Sequence, residues 1–463
     1  MRLFPAAVFG IAAALAAASA QAASVSWDGE DGNGQWNSNG NWSDNAGGVQ
    51  SGDNAGFTDL APGTNLMDES NPFSLNSLSY SNTAGIHTTD LQGSRLDVMN
   101  LNVGRDISGS SAVIRNGTLK MAGDVYMYVG YRSSAAATGT LVVGSAATTT
   151  TLDTSGLTTR LFVGYNGGEG LLDLANATAD ISGARRIYVT QLQAGSAYGY
   201  LRTGRIILPD SSKLTNLVVS SQFTLGLGGG TGQLGSAGDA NRIPDGVSLQ
   251  IGLSPAGRAN ALIGRGGWGN PGMGRLIMGS GSAFTVWLSD CWVGWSDTAG
   301  QSDGLLDLRN TAIGNNGTFD VNDLQVGYGR STGMVLFASS PGAGQLSNLY
   351  ANAVLVIGRG GAGPYGRIGT GADGSGDLPE GLNLRVGVST SSRAAINVGR
   401  DGDAPGSNGR MSLGSNSTFE AYLTEFNVGY PQQGYHVSYG VLDLRRGTLK
   451  GGAELTPTAT SDA

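Results

Sequence analysis

The sequence predicts an all-β fold, a single-stranded parallel β-helix solenoid of about eleven triangular coils, and three observations carry that prediction. Glycine supplies 78 of 463 residues, while charged side chains make up 13 % and apolar ones 40 %. That is more than twice the usual ~7 % glycine, which disfavours long helices, and apolar content this high at low charge argues for a buried core. Proline numbers only 13 and no strict three-residue period runs through the chain, so collagen is excluded. The second observation is a recurring five-residue pattern, apolar-x-aliphatic-Gly-(Arg/Tyr/Trp). The third is a pair of further strand-like runs, bounded by Gly, Ser, Asn and Asp, upstream of each copy.

Residues 1–22, the first element, read as a secretory signal. Arg2 supplies the positive start, Leu3 to Ala18 the short apolar run, and Ala18-Ser19-Ala20 and Ala20-Gln21-Ala22 the cleavage sites. Pro5 and the alanine-rich run argue against a membrane anchor, and no later segment holds the ~20 uninterrupted apolar residues of a span. The expectation is bacterial export, to the medium or the cell surface, with no transmembrane span in the mature chain. A net charge of −8 and a pI near 4.8 argue against nucleic acid or an anionic membrane as partner. The lone Cys291 permits no intramolecular disulfide. The Asn-x-Ser/Thr triplets at Asn41, Asn116, Asn176, Asn316 and Asn416 read as turn chemistry.

Residues 23–80 form the second element, a tryptophan-rich cap and first coil. Trp27, Trp36 and Trp42 place three of the seven tryptophans within 16 residues. A solenoid's first coil has an open strand edge and needs such a cover.

Residues 81–450 carry the repeats. The pattern occurs at Leu101–Arg105, Met127–Tyr131, Leu161–Tyr165, Ala261–Arg265, Cys291–Trp295, Leu324–Tyr328, Leu355–Arg359, Ile396–Arg400 and Phe426–Tyr430. Two degenerate copies, Ile187–Gln191 and Phe223–Leu227, fill the gap, making eleven. From Gly104 to Gly429 is 325 residues in ten intervals, a mean period of 32.5 with a range of 26 to 41. In every copy the residue before the glycine position and the residue two earlier are apolar, so both face inward and stack coil upon coil. The glycine marks a corner where φ turns positive or backbones approach closely. A second glycine opens each Gly-x-Leu-x-Leu run, as in Gly170–Leu174 and Gly304–Leu308. Eleven coils at ~4.8 Å give a rod on the order of 50 Å. Residues 451–463 are expected to form a flexible tail.

Trp27-Asp28-Gly29, Trp36, Asn41-Trp42 and Gly52-Asp53-Asn54-Ala55-Gly56-Phe57, followed by Phe73–Leu78, resemble the start of bacterial autotransporter-associated β-strand repeat proteins. The downstream x-Val-Gly-Tyr and Gly-x-Leu-x-Leu periodicity is similar to the related repeats of autotransporter passengers and PEP-CTERM-sorted proteins. The resemblance covers residues 24 to about 450 and implies a right-handed parallel β-helix displayed on, or released from, the cell surface. Two departures stand out: no translocator barrel follows, and there is no Pro-Glu-Pro signal with an apolar tail. The last period opens at Gly440 and stops before its glycine strand, which fits either a fragment or an end that docks onto something else.

Candidate binding residues lie between the two inward columns. Tyr128, Phe162 and Tyr188 are expected on consecutive coils, with Trp292 further along. The corner position adds Tyr131, Tyr165, Trp295, Tyr328 and Tyr430 among arginines. Aromatics beside arginine suit sugar rings or a protein partner, and Tyr128, Phe162, Tyr188, Trp292 and Trp295 are the residues proposed to bind. The competing reading is that in-register rings stack on one another, at ~0.5–1.5 kcal/mol per pair.

No catalytic residue is assigned. Asp173, Asp307 and Asp443 share a position with Val142, Ile277, Leu336 and Ser412, so no carboxylate column forms. Asp290, Asp297 and Asp303, around Trp292 and Trp295, come nearest to the paired carboxylates that glycan cleavage needs. His87 and His436 stand in unrelated settings. No metal site or cofactor is assigned. The turns Asp28–Asp31, Asp373–Asp377 and Asp401–Asp403 would suit Ca2+, and turn chemistry explains them equally well. The expected function is an exported structural or adhesion β-helix without catalysis. The alternative is a polysaccharide-degrading or glycan-binding β-helix.

Overall fold

A computed structural model describes residues 22–43, 48–69, 71–133, 136–155, 159–180, 183–196, 202–267, 269–296, 300–339, 345–360, 365–374, 376–400, 406–431 and 438–450. Nearly all of the expected signal, the expected tail, Asp297, Asp401, Asp403 and His436 lie outside the described residues.

The chain is a parallel β-solenoid of about twelve turns, close to the eleven coils read from the sequence. Its strands form two sheets, one of 13 strands in chain order and one of 21. All strand ladders among the described residues are parallel, and every coil adds one strand to the first sheet. From Gly139 onward that strand carries the glycine that opens the Gly-x-Leu-x-Leu run. The other two runs of each coil belong together to the second sheet.

One corner of the expected triangle is therefore a bend inside a sheet rather than a turn. In the strands Arg95–Arg105, Arg186–Ser196 and Thr318–Tyr328 both runs are continuous, and the register against the next coil slips at the bend, by three residues in the first and by one in the other two. The slip resets the alternation. Val98 and Leu101 are three apart, as are Val321 and Leu324, yet all four are buried because an extra residue lies between them.

This bend also corrects one copy of the repeat. Ile187–Val189 pairs with Leu217–Val219, before the bend. The residues in register with Leu161, Phe162 and Val163 are Leu192, Gln193 and Ala194, followed by Gly195. The copy is thus Leu192–Ser196, hidden in the sequence because Ala194 stands where every other coil has a larger aliphatic.

With Gly195 in place, all eleven corner glycines have φ between 60° and 71°. The reason they are glycine is contact as well as φ. A Cβ on Gly294 would lie 1.8 Å from the Thr332 carbonyl oxygen, and one on Gly130 1.8 Å from that of Glu169. Facing them is the second column, Gly139, Gly170, Gly204 and onward to Gly440, paired glycine to glycine from coil to coil. A Cβ on Gly170 would lie 2.2 Å from the Val129 oxygen and 2.5 Å from the Gly164 nitrogen. The two sheets are pinched together along this seam, backbone on backbone. Asn116, Asn316 and Asn416, three of the five triplet asparagines, also have positive φ, as turn chemistry requires.

At the N-terminal end Trp27, Trp36 and Trp42 are buried with Phe57 in one ring cluster, Trp27–Trp42 at 5.2 Å and Trp36–Trp42 at 5.7 Å. The Trp36 and Trp42 indoles donate to Asn65 Oδ1 and to the Trp36 carbonyl, each at 2.8 Å. The outer edge of the first strand, Ser24–Trp27, is covered as well. Ser43 donates to the Ser26 carbonyl at 2.8 Å, and Asp28 donates to that of Asn41 at 3.0 Å. No helix among the described residues is long and apolar enough to cross a membrane.

Candidate functional site

The outward face that follows the bend carries the aromatic residues, in two clusters. In the first, Tyr128 stacks on Phe162 at 5.4 Å and on Tyr126 at 5.5 Å, and Tyr131 stacks on Tyr165 at 5.6 Å. Arg105 lies over Tyr131 at 5.3 Å, and Arg160 lies over Tyr126, to whose hydroxyl it also donates. Burial in this cluster pushes the Tyr128 phenol up to about 12, helped by the neighbouring tyrosines and opposed by Arg105.

Tyr188 does not join it. Because it precedes the bend, its in-register neighbour is Val218, and the residue beside Phe162 is Gln193. The expected run of three aromatics is a run of two, and the Tyr188 ring lies under Arg186, at 5.8 Å.

The second cluster runs along four coils. Arg265, Trp295, Tyr328 and Arg359 are successive partners in one column. Arg265 lies 5.0 Å from the Trp295 ring, Trp295 stacks on Tyr328 at 5.3 Å and 13°, and Arg359 lies 5.5 Å from Tyr328. Trp292 stacks beside Trp295 at 4.7 Å and is also covered by Arg265 at 4.8 Å. The Trp295 indole donates to Gln325 Oε1 at 2.8 Å. Two stacked rings lie between two guanidinium groups along the rod, each meeting its neighbour on the next coil.

That geometry limits what the face can bind. A sugar ring docks on an open aromatic face, and here the faces are occupied by neighbours. Phe162, at the centre of the first cluster, is 6 % exposed.

Of the carboxylates expected near the tryptophans, Asp297 lies outside the described residues, and Asp290 and Asp303 lie in different sheets. Asp303 lies in the other sheet, ion-paired to Arg275 at 2.8 Å. Asp290 has a different neighbour, Asp323, its register partner on the next coil. The sequence reading missed Asp323, although both aspartates precede the repeat pattern by one residue. Burial, reinforced by Asp290, pushes Asp323 up to about 6 against the pull of a 2.9 Å hydrogen bond from Gln325. Burial also raises Asp290, with Arg265 opposing. Asp323 Oδ1 and Trp292 Nε1 are buried without hydrogen-bond partners.

The other candidates have structural partners. Asp307 is 4 % exposed and bonds Arg309 at 2.6 Å, while Asp443 is held well below the carboxylate range by Arg445. Asp373 pairs with Arg367 at 3.0 Å, and Asp377 pairs with Arg446. Cys291 is buried in an interior column, and burial raises its thiol to about 12, far from a reactive thiolate. An open groove of about 530 Å³ runs over the 13-stranded sheet between Ser110 and Gln233, with Glu169 its one lining carboxylate. Comparison with protein-family models, with curated proteins and with solved structures finds no match.

Proposed function

We propose that the chain is an exported structural or adhesion solenoid, working at the cell surface or outside the cell without catalysis. The observation that carries this reading is the use of outward aromatic and cationic side chains as column stacks, Arg265–Trp295–Tyr328–Arg359 above all. Such columns stiffen the rod and leave few ring faces for a small ligand. Export rests on the leader-like residues 1–22, and surface display on the resemblance to passenger repeats. Fusing residues 1–22 to a periplasmic reporter tests export; activity retained inside the cell would sink it. A glycan array tests the surface. Absence of binding is expected, and binding abolished by a Tyr128→Ala, Phe162→Ala pair would replace this reading with a lectin-like one.

One observation favours a second reading, a polysaccharide-degrading β-helix. Asp290 and Asp323 are adjacent, and a carboxyl group raised to about 6 beside another is the pairing glycosidases use as acid and nucleophile. A reducing-end assay over acidic polysaccharides, with Asp290→Asn as the control, decides it.

A further inference from the structure

His87 fastens the first coil to the second. It opens the strand His87–Asp90, which pairs with Gly63–Leu66 on the coil before and with Ser110–Arg115 on the coil after. Its side chain is fully buried. The imidazole reaches back one coil, with Nε2 2.6 Å from the Thr58 carbonyl oxygen and the ring 5.2 Å from Phe57. Phe57 in turn stacks on Tyr80 at 5.0 Å and meets Trp27, Trp36 and Trp42 of the cap. The histidine therefore stands where the tryptophan cluster meets the repeats.

In that position the ring can hold one proton and not two. A carbonyl only accepts, so the Nε2 hydrogen is donated to Thr58, and Nδ1 is left as an acceptor, buried and without a partner. A proton on Nδ1 would itself need an acceptor. Among the described residues up to Asp90, the other unpartnered buried side-chain atom is Asn65 Nδ2, which is a donor. The strands Gly63–Leu66 and Phe73–Tyr80 carry no charged residue, and Asp90 and Arg115 pair with each other at 3.2 Å. Tyr80, 6.4 Å from the ring, stays neutral because burial pushes its phenol up. Asp59 favours the imidazolium, but its carboxylate already accepts from the Thr83 hydroxyl at 2.7 Å and from the Ala84 N–H at 2.9 Å. Burial outweighs it and lowers the imidazole.

We propose that His87 is a proton-operated latch: when its ring takes a second proton, residues 24–66 detach from the second coil while the repeats beyond stay folded. A charged imidazole has no partner in the core and must turn out to water, which breaks the Thr58 bond and the Phe57 contact together. A solenoid permits local release, because each coil touches only its neighbours and an end unit opens without the rest. Asp59 does not compete in the same range. Its carboxyl group is held below the usual value by the Thr83 hydroxyl and the Thr83 and Ala84 N–H groups, so it stays ionised at pH 5. The inference concerns the junction of cap and repeats and does not rest on the proposed function.

Hydrogen exchange of the full 463-residue chain, read as protection factors at pH 7 and pH 5, tests it. The opened ring titrates near ~6.5 and the buried ring lower, so opening gains up to ~10-fold per pH unit between those values. Protection of residues 24–66 should fall ~10-fold from pH 7 to 5, recover at pH 7, and hold constant over residues 318–337. His87→Gln keeps a donor for Thr58 and does not titrate, so its protection should be the same at both pH values. A second readout uses the native chain alone. With only two histidines, His87 and His436, labelled-histidine NMR follows each ring, and His87 should charge over the same pH interval in which protection is lost. Unchanged protection at pH 5, a loss spread evenly along the rod, a loss of equal size in His87→Gln, or a His87 ring that charges near ~6.5 with the cap still protected overturns the proposal.

Discussion

Replacing Asp323 with asparagine should change how stability depends on pH. The native carboxyl group is raised from 3.8 to about 6, so the unfolded chain ionises first. Below pH ~4 both states are protonated and this group exerts no penalty on the fold. Between pH 4 and 6 the unfolded state alone loses its proton, and stability falls; above pH 6 the loss is complete. Two units at ~1.36 kcal/mol each give about 3 kcal/mol, or roughly 2 kcal/mol once partial exposure is allowed for. Asparagine does not titrate, and its Oδ1 can still accept the Gln325 bond. Its amide takes the place of the unpartnered Asp323 Oδ1, at a cost of ~1 kcal/mol or more that does not vary with pH. The quantity to read is therefore the change in the variant-minus-native difference, obtained by urea unfolding at pH 4, 5, 6 and 7. That difference should move in favour of Asp323→Asn by roughly 2 kcal/mol between pH 4 and 7. A difference that stays flat, or moves the other way, refutes the assignment of a buried, raised carboxyl group.

Three further outcomes follow from the same physics. Gly294→Ala should cost more than ~3 kcal/mol, because the new methyl meets the Thr332 carbonyl and φ is +61°. Gly281→Ala, at φ +65° with nothing within 4 Å, should cost only the ~1 kcal/mol of the left-handed backbone, and equal losses in thermal melts would refute the seam. Trp36→Ala should remove ~3–5 kcal/mol and strip Asn65 of its partner, with hydrogen exchange rising first in residues 24–80 and only later towards the C-terminus. His87 should add an acid limb of instability. Burial lowers its pKa, Nε2 is held at 2.6 Å from the Thr58 carbonyl, and Nδ1 has no partner for a second proton. Its contribution is present above the unfolded value of ~6.5 and lost as pH falls through the lower folded value, so His87→Phe should move the acid melting limb to lower pH.

The fold was legible because a solenoid repeats its requirements. Each coil needs two apolar columns and a glycine wherever backbones touch, and Val103, Val129 and Val163 with Gly104, Gly130 and Gly164 announce both. Less legible was the phase of each strand. A one-residue bulge inverts inside and outside, and nothing in Ile187-Tyr188-Val189 shows that it precedes the bend rather than follows it. Ala194 then hid the true copy, and Tyr188 was assigned to the wrong column. Asp323 was missed for another reason. Its environment depends on Asp290, about thirty residues away in sequence, and only the coil-to-coil register shows that they are neighbours. The Asp290–Asp303 pairing failed on the same ground, since closeness across a corner loop places residues in different sheets.

Repetition also says where chemistry can reside in such a molecule. Along the sides of the rod each coil supplies what its neighbour lacks: asparagine 383 receives a bond from Thr418 and donates to Asn348, Trp295 lies between Arg265 and Tyr328, and glycine lies on glycine. Side chains satisfied in this way have little left for a ligand. Some of the unmet valence lies where translation along the axis fails. One such place lies midway along the rod, where Asp290 and Asp323 are in register and Asp323 Oδ1 and the nearby Trp292 indole N–H have no hydrogen-bond partner. Phe426, on the last of the described coils, is another, 39 % exposed where the earlier members of its column are buried. Both are defects of the repeat, and a search for what this protein binds should begin there rather than on its aromatic face.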